Sequence, residues 1–103
     1  MPMYLIQILL PLYDNEGRAF DGQSYDRVRD ELMEKFKGVT AFRSSPAEGV
    51  WAEGGEVSRD AIIIYEVMTK ELERAWWTDY RTELETRFRQ ERMLVRATLI
   101  EQL

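Results

Sequence analysis

AIIIYEVM, residues 61–68, is the stretch whose reading decides the fold. It is short, apolar and rich in β-branched residues, which marks a strand. Side chains alternate between the two faces of a strand. Ile63, Tyr65 and Val67 therefore share one face, and Ile62, Ile64, Glu66 and Met68 share the other. Both faces are largely apolar, and a single carboxylate interrupts the second. A strand of this kind belongs inside a sheet with something covering each side.

Downstream, the pattern switches to helical spacing. Leu72, Trp76, Tyr80, Leu84 and Phe88 recur every four residues, with Trp77 at the edge of the stripe. Thr69 is the expected cap. Glu71 and Glu73 suit the positive start of the helix, and Arg87 and Arg89 suit its negative end. The segment RMLVRATLI, 92–100, then reads as a last strand.

Upstream, VTAFRS, 39–44, reads as a short strand. Between it and residue 61 lies SSPAEGVWAEGGEVSRD, in which GVWAEGGEV suggests a small extra hairpin turning at Gly54-Gly55. QSYDRVRDELMEKFKG, 23–38, places Tyr25, Val28, Leu32 and Phe36 on one helical face. Asp21 or Ser24 can cap its start, and Gly38 fits a left-handed residue past its end. YLIQILL, 4–10, is a buried strand, followed by a loop marked by Pro11, Gly17 and Gly22.

The order is β-α-β-β-α-β over a single domain, residues 1–103. This is the ferredoxin-like α+β arrangement, with the extra hairpin placed before the third main strand. Right-handed crossovers put both helices on one face of a four-stranded antiparallel sheet with spatial order 4-1-3-2.

Strand parity then assigns two faces. Toward the helices go Ile6, Ile8, Leu10, Phe42, Ile63, Tyr65, Val67, Met93, Val95, Ala97 and Leu99. The open face receives Leu5, Leu9, Ile62, Ile64, Met68, Leu94, Thr98 and Ile100, with Gln7, Glu66, Arg96 and Arg43 among them. An open sheet face in water is ordinarily polar. This one is dominated by Leu, Ile and Met, and an apolar patch of that size invites association. A face-to-face homodimer is the expected partner arrangement.

Gln7, Glu66 and Arg96 fall near the middles of neighbouring strands and should form one polar row. The row reads either as a structural device that sets dimer register or as a ligand-binding row in a dimeric cavity. Arg43, Glu48 and Trp51 complete the candidate ligand-binding set, with Trp51 able to lid a cavity or cover the sheet edge. Trp76 and Trp77 read first as packing residues.

Composition narrows the chemistry. Apolar residues make up 45% and charged residues 32% of the 103, a globular balance. There is no histidine and no cysteine, so Ser-His-Asp and Cys-His mechanisms and the usual zinc sites are excluded. No metal and no cofactor is expected, and the lack of cysteine fits a cytoplasmic protein. A net charge of −5 argues against nucleic acid and anionic membrane surfaces as partners. No apolar run approaches membrane-spanning length, and there is no phosphate-binding glycine motif.

The segments GVTAFRSSPAEGVWAEGGEVSRDAIIIYEVM and RAWWTDYRTELETRFRQERMLVRAT resemble those of a group of small uncharacterised bacterial proteins, a resemblance that runs over nearly the whole chain. In fold, the chain resembles the dimeric α+β barrel group. That group includes cofactor-independent monooxygenases, small isomerases and haem-dependent members whose histidine ligand is missing here. The resemblance carries over no catalytic residue. Three functional readings follow. One is a homodimer that binds a small apolar or aromatic molecule between or beside its sheets. Another is a cofactor-independent enzyme of monooxygenase or isomerase type, using Glu66 or Glu48 as base with Arg96 or Arg43. The third is a purely structural or protein-interaction module.

Overall fold

A computed structural model describes residues 2–44 and 62–103, with side chains given for all of these except 42–44. The elements run β1 (Pro2–Pro11), α1 (Gly22–Phe36), β2 (Thr40–Ser44), β3 (Ile62–Thr69), α2 (Arg74–Arg87) and β4 (Leu94–Glu101). The strands form one antiparallel sheet in the order β2-β3-β1-β4. This is the expected α+β arrangement, and it follows from apolar alternation in the strands and helical spacing between them. The expected extra hairpin lies outside the described residues.

The two helices cover one face of the sheet. Ile6, Ile8 and Leu10 from β1 and Tyr65 and Val67 from β3 meet Tyr25, Val28 and Leu32 of α1. Trp77, Tyr80, Leu84, Phe88 and Met93 close the core from the α2 side. In α2 the buried line runs through Trp77, and Trp76 is only partly buried. At 100° per residue, 77, 80, 84 and 88 cluster more tightly than a strict four-residue stripe, which drifts.

The ends of the elements show where local signals competed. Asp21 caps α1, its carboxylate accepting from the Gln23 amide at 3.0 Å. At the other end the left-handed residue is Lys37, with φ 63°, and not Gly38. The Lys37 amide donates to the Met33 carbonyl at 2.9 Å, so helix closure fixes the position and the lysine adopts the conformation it requires. Thr69 does not cap α2. It ends β3 and its hydroxyl donates to the Glu71 carbonyl. α2 begins four residues later than that cap implies, with Glu73 at its N-cap making no side-chain capping bond.

One strand departs from the expected parity, and another keeps it without the expected burial. In β2, Phe42 pairs with Ile64 and Arg43 with Ile63, the reverse of the phase read from the sequence. In β4, Ala97 and Leu99 carry the core phase yet are exposed, Leu99 at 63%. β4 lies at the sheet edge, so its distal half is flanked on one side only and escapes the helices. No helix among the described residues is long and apolar enough to cross a membrane.

Candidate functional site

The open face is built around β1, the central strand between β3 and β4. Register aligns Gln7 with Glu66 on one side and with Arg96 on the other. Because paired residues point the same way from a pleated sheet, the three polar side chains form a single transverse row. The Gln7 amide nitrogen donates to Glu66 Oε2 at 2.5 Å, and Arg96 Nε donates to Gln7 Oε1 at 2.6 Å. Gln7 thus uses both ends of its amide to bridge an acid and a base two strands apart.

Apolar residues border the row at the next level on each side. Leu5 pairs with Met68 and Thr98, and Leu9 pairs with Ile64 and Leu94. Met68 is 49% exposed and Leu94 51%. Ile64 behaves differently: within the single chain it is only 7% exposed. It lies on an interior strand, between the register positions of β1 and β2, so its neighbours already shield it. The apolar patch is therefore centred on Leu5, Leu9, Met68 and Leu94 more than on Ile64.

A groove of about 510 Å³ reaches the end of the row. It is walled by Met3 and Leu5, by Glu66 and Met68, and by the chain from Phe36 to Thr40. Its origin is a mismatch in strand length. β2 starts at Thr40, opposite Glu66, so Val67, Met68 and Thr69 have no neighbour in β2. Lys37, Gly38 and Val39 pass beside that free edge and leave a trough. Sequence reading missed these residues. The signal that points to them is the shortness of VTAFRS against AIIIYEVM.

Of the six sequence-predicted site residues, the structure brings Gln7, Glu66 and Arg96 together. Arg43 lies in β2 in register with Ile63, away from the level of the row. Glu48 and Trp51 lie outside the described residues. Among the described residues no group of three or more carboxylates is arranged to hold a metal ion.

A second polar cluster joins the helices on the far side of the molecule. Arg87 donates to Glu31 Oε1 and Oε2 at 2.6 and 2.7 Å and to Glu83 Oε1 at 2.8 Å. The Tyr80 hydroxyl donates to Glu31 Oε1 at 3.0 Å. The Arg87 hydrogen bonds hold the Glu31 carboxyl below the usual glutamate range. Burial first, and then the Glu31 charge, push the Tyr80 phenol well up. Arg87 thus spends its terminal nitrogens on two carboxylates, the pattern of an inter-helix clasp, while its buried Nε has no hydrogen-bond partner among the described residues. Beside it, Phe36 stacks on Trp77 at 5.3 Å and Trp76 on Tyr80 at 4.8 Å. Lys35 Nζ sits 4.6 Å from the Trp76 ring centre and 3.0 Å from Glu73. The tryptophans thus pack α1 against α2, as their helical spacing suggested.

Comparison of the chain with protein-family models finds no match, and comparison with curated proteins and with solved structures finds none either.

Proposed function

We propose that the chain works as a homodimer, joined through the open sheet faces, that binds a small apolar or aromatic molecule beside the Glu66–Gln7–Arg96 row. The observation that carries this reading is the pairing of half-exposed Met68 and Leu94 with a polar row that is internally bonded. Full burial of an aliphatic side chain contributes about 1.5–3 kcal/mol, so covering this face favours a partner. The groove beside Glu66 supplies a concave recess in which Met3, Leu5, Val67 and Met68 stand beside the polar Lys37, Thr40 and Glu66, so it can offer a ligand both apolar contact and polar groups that fix its orientation.

The catalytic reading stands second. Gln7 occupies one oxygen of Glu66 and the Nε of Arg96, which favours positioning over proton abstraction. A bacterial source and a cytoplasmic location belong to the same proposal, the second resting on the absence of cysteine.

Sedimentation at micromolar concentration tests the dimer. The wild type should run as a dimer and Leu94→Glu as a single chain, and a wild-type monomer overturns the reading. A thermal-shift panel of small aromatic and aliphatic compounds tests the ligand, since a ligand specific for the folded state raises apparent stability. A compound that raises the melting temperature of wild type but not of Met68→Glu supports the groove. A flat response across the panel argues for the structural-module reading.

A further inference from the structure

Two sheets that meet face to face through a two-fold axis have two simple ways to do so. The axis lies in the plane between them and runs either along the strands or across them. An axis along the strands exchanges the β3 side of one copy with the β4 side of the other and keeps each side chain at its own level. An axis across the strands keeps the sides and inverts the levels. The polar row distinguishes these two arrangements, because its acid and its base sit on opposite sides of Gln7 at one level. The crosswise axis stacks Glu66 on Glu66 and Arg96 on Arg96. The lengthwise axis stacks each acid on a base.

We infer that the two copies meet about a two-fold axis parallel to β1 and passing over Gln7, so that Glu66 of each copy pairs with Arg96 of the partner subunit. The inference rests on the homodimer reading above and specifies its geometry. A second observation supports it. Glu66 Oε1 and both terminal nitrogens of Arg96 have no hydrogen-bond or ion-pair partner among the described residues. The row is neutral as a whole but holds one free acceptor on the β3 side and two free donor nitrogens on the β4 side. A rotated copy of the same row presents the complement of each. Like charges facing one another across an interface are strongly disfavoured and opposite charges fix register, so the row selects the axis as well as tolerating burial.

The same rotation lays β4 of the partner subunit over β3. At the level of Met68 and Leu5, Thr98 belongs to the strand that crosses over, with Ile100 beyond it. These residues then roof the groove beside Glu66, which is open along that side in the single chain. The recess becomes a site to which both subunits contribute, twice per dimer.

Pulsed electron paramagnetic resonance on a single spin label tests the axis, and the chain has no native cysteine to interfere. Glu101, paired with Pro2 near the far end of β4, is exposed and is replaced as Glu101→Cys. Strand spacing of ~4.8 Å, a rise of ~3.4 Å per residue and sheets ~10 Å apart place the two labelled backbones ~14 Å apart for the lengthwise axis and ~35 Å apart for the crosswise one. The labels point away from the interface and lengthen both distances, so a dimer with a label distance below the ~35 Å of the crosswise backbones supports the inference. A dimer with a longer distance overturns the axis and leaves the homodimer standing. A chain that sediments alone overturns the homodimer itself. As a second arm, Glu66→Arg should weaken self-association by roughly tenfold or more, and adding Arg96→Glu should restore it. An unchanged dissociation constant in the single variant, or no recovery in the double one, overturns the pairing.

Discussion

Arg87 grips both oxygens of Glu31 across the gap between α2 and α1, at 2.6 and 2.7 Å, with its own side chain only 14% exposed. Glu31→Gln keeps the size and removes the charge. It should lower stability by about 1.5–3 kcal/mol, the range for hydrogen bonds to charged groups, read from urea midpoints at pH 7.

The same pair sets a pH dependence. The folded-state pKa of Glu31 is depressed by Arg87, so its contribution is fully present above the ordinary glutamate value of about 4.3. That contribution shrinks as pH falls through this value and is lost below the depressed folded-state pKa. The stability gap between wild type and Glu31→Gln should therefore be constant from pH 7 to 6 and narrow steadily in acid. A gap that stays constant down to the acid transition contradicts the assignment.

Lys37 holds a left-handed backbone at φ 63°, a conformation that glycine adopts without the penalty a side chain brings. Lys37→Gly should stabilise the chain by roughly 0.5–1 kcal/mol, seen as a higher thermal midpoint. Gly38→Ala is the informative control, since an added Cβ there meets no atom within 4 Å and Gly38 has no positive φ. It should have little effect.

Leu32 is fully buried where α1 meets the sheet. Leu32→Ala should cost about 2–5 kcal/mol through lost burial and the cavity left behind. Met33, one position on and 44% exposed, should tolerate alanine within about 0.5 kcal/mol. Chemical denaturation of the two variants checks the contrast.

Gln7→Leu leaves Glu66 and Arg96 in place but removes the amide that links them. The two ionised groups then lack their bridge on an apolar face, and stability should fall by about 1–3 kcal/mol. Restoring much of that loss by also changing Glu66→Met and Arg96→Met would show that the row serves specificity more than stability.

The row was legible in the sequence because strand periodicity is two: once AIIIYEVM, YLIQILL and RMLVRATLI are strands, Gln7, Glu66 and Arg96 must share a face. The phase of β2 was not legible, because TAFRS is too short for its mixed polar and apolar residues to fix which side faces the helices. Ala97 and Leu99 take the expected face but not the expected burial, for a different reason. Alternation gives a side chain its face, while exposure depends on how far the helices reach over an edge strand, and no local pattern encodes that reach. The end of α1 falls one residue before the position Gly38 implies, because the hydrogen bond closing the helix, and not the nearest glycine, fixes the left-handed residue. The groove depends on two strands differing in length, so its cause is a relation between segments and not a motif within one.

The hydroxyl of Tyr25 donates to the Pro11 carbonyl at 2.6 Å, and the hydroxyl of Tyr65 donates to the carbonyl of Tyr25 itself at 3.1 Å. The first turn of α1 is thereby latched to the end of β1 and to the middle of β3, in addition to its aspartate cap. At its far end the backbone is closed only by the left-handed Lys37, and the side chains of Phe36 and Lys35 hold that end through Trp77 and Glu73. Unwinding of this helix should therefore start at one end and travel in one direction, and amide exchange should be faster near Phe36 than near Tyr25.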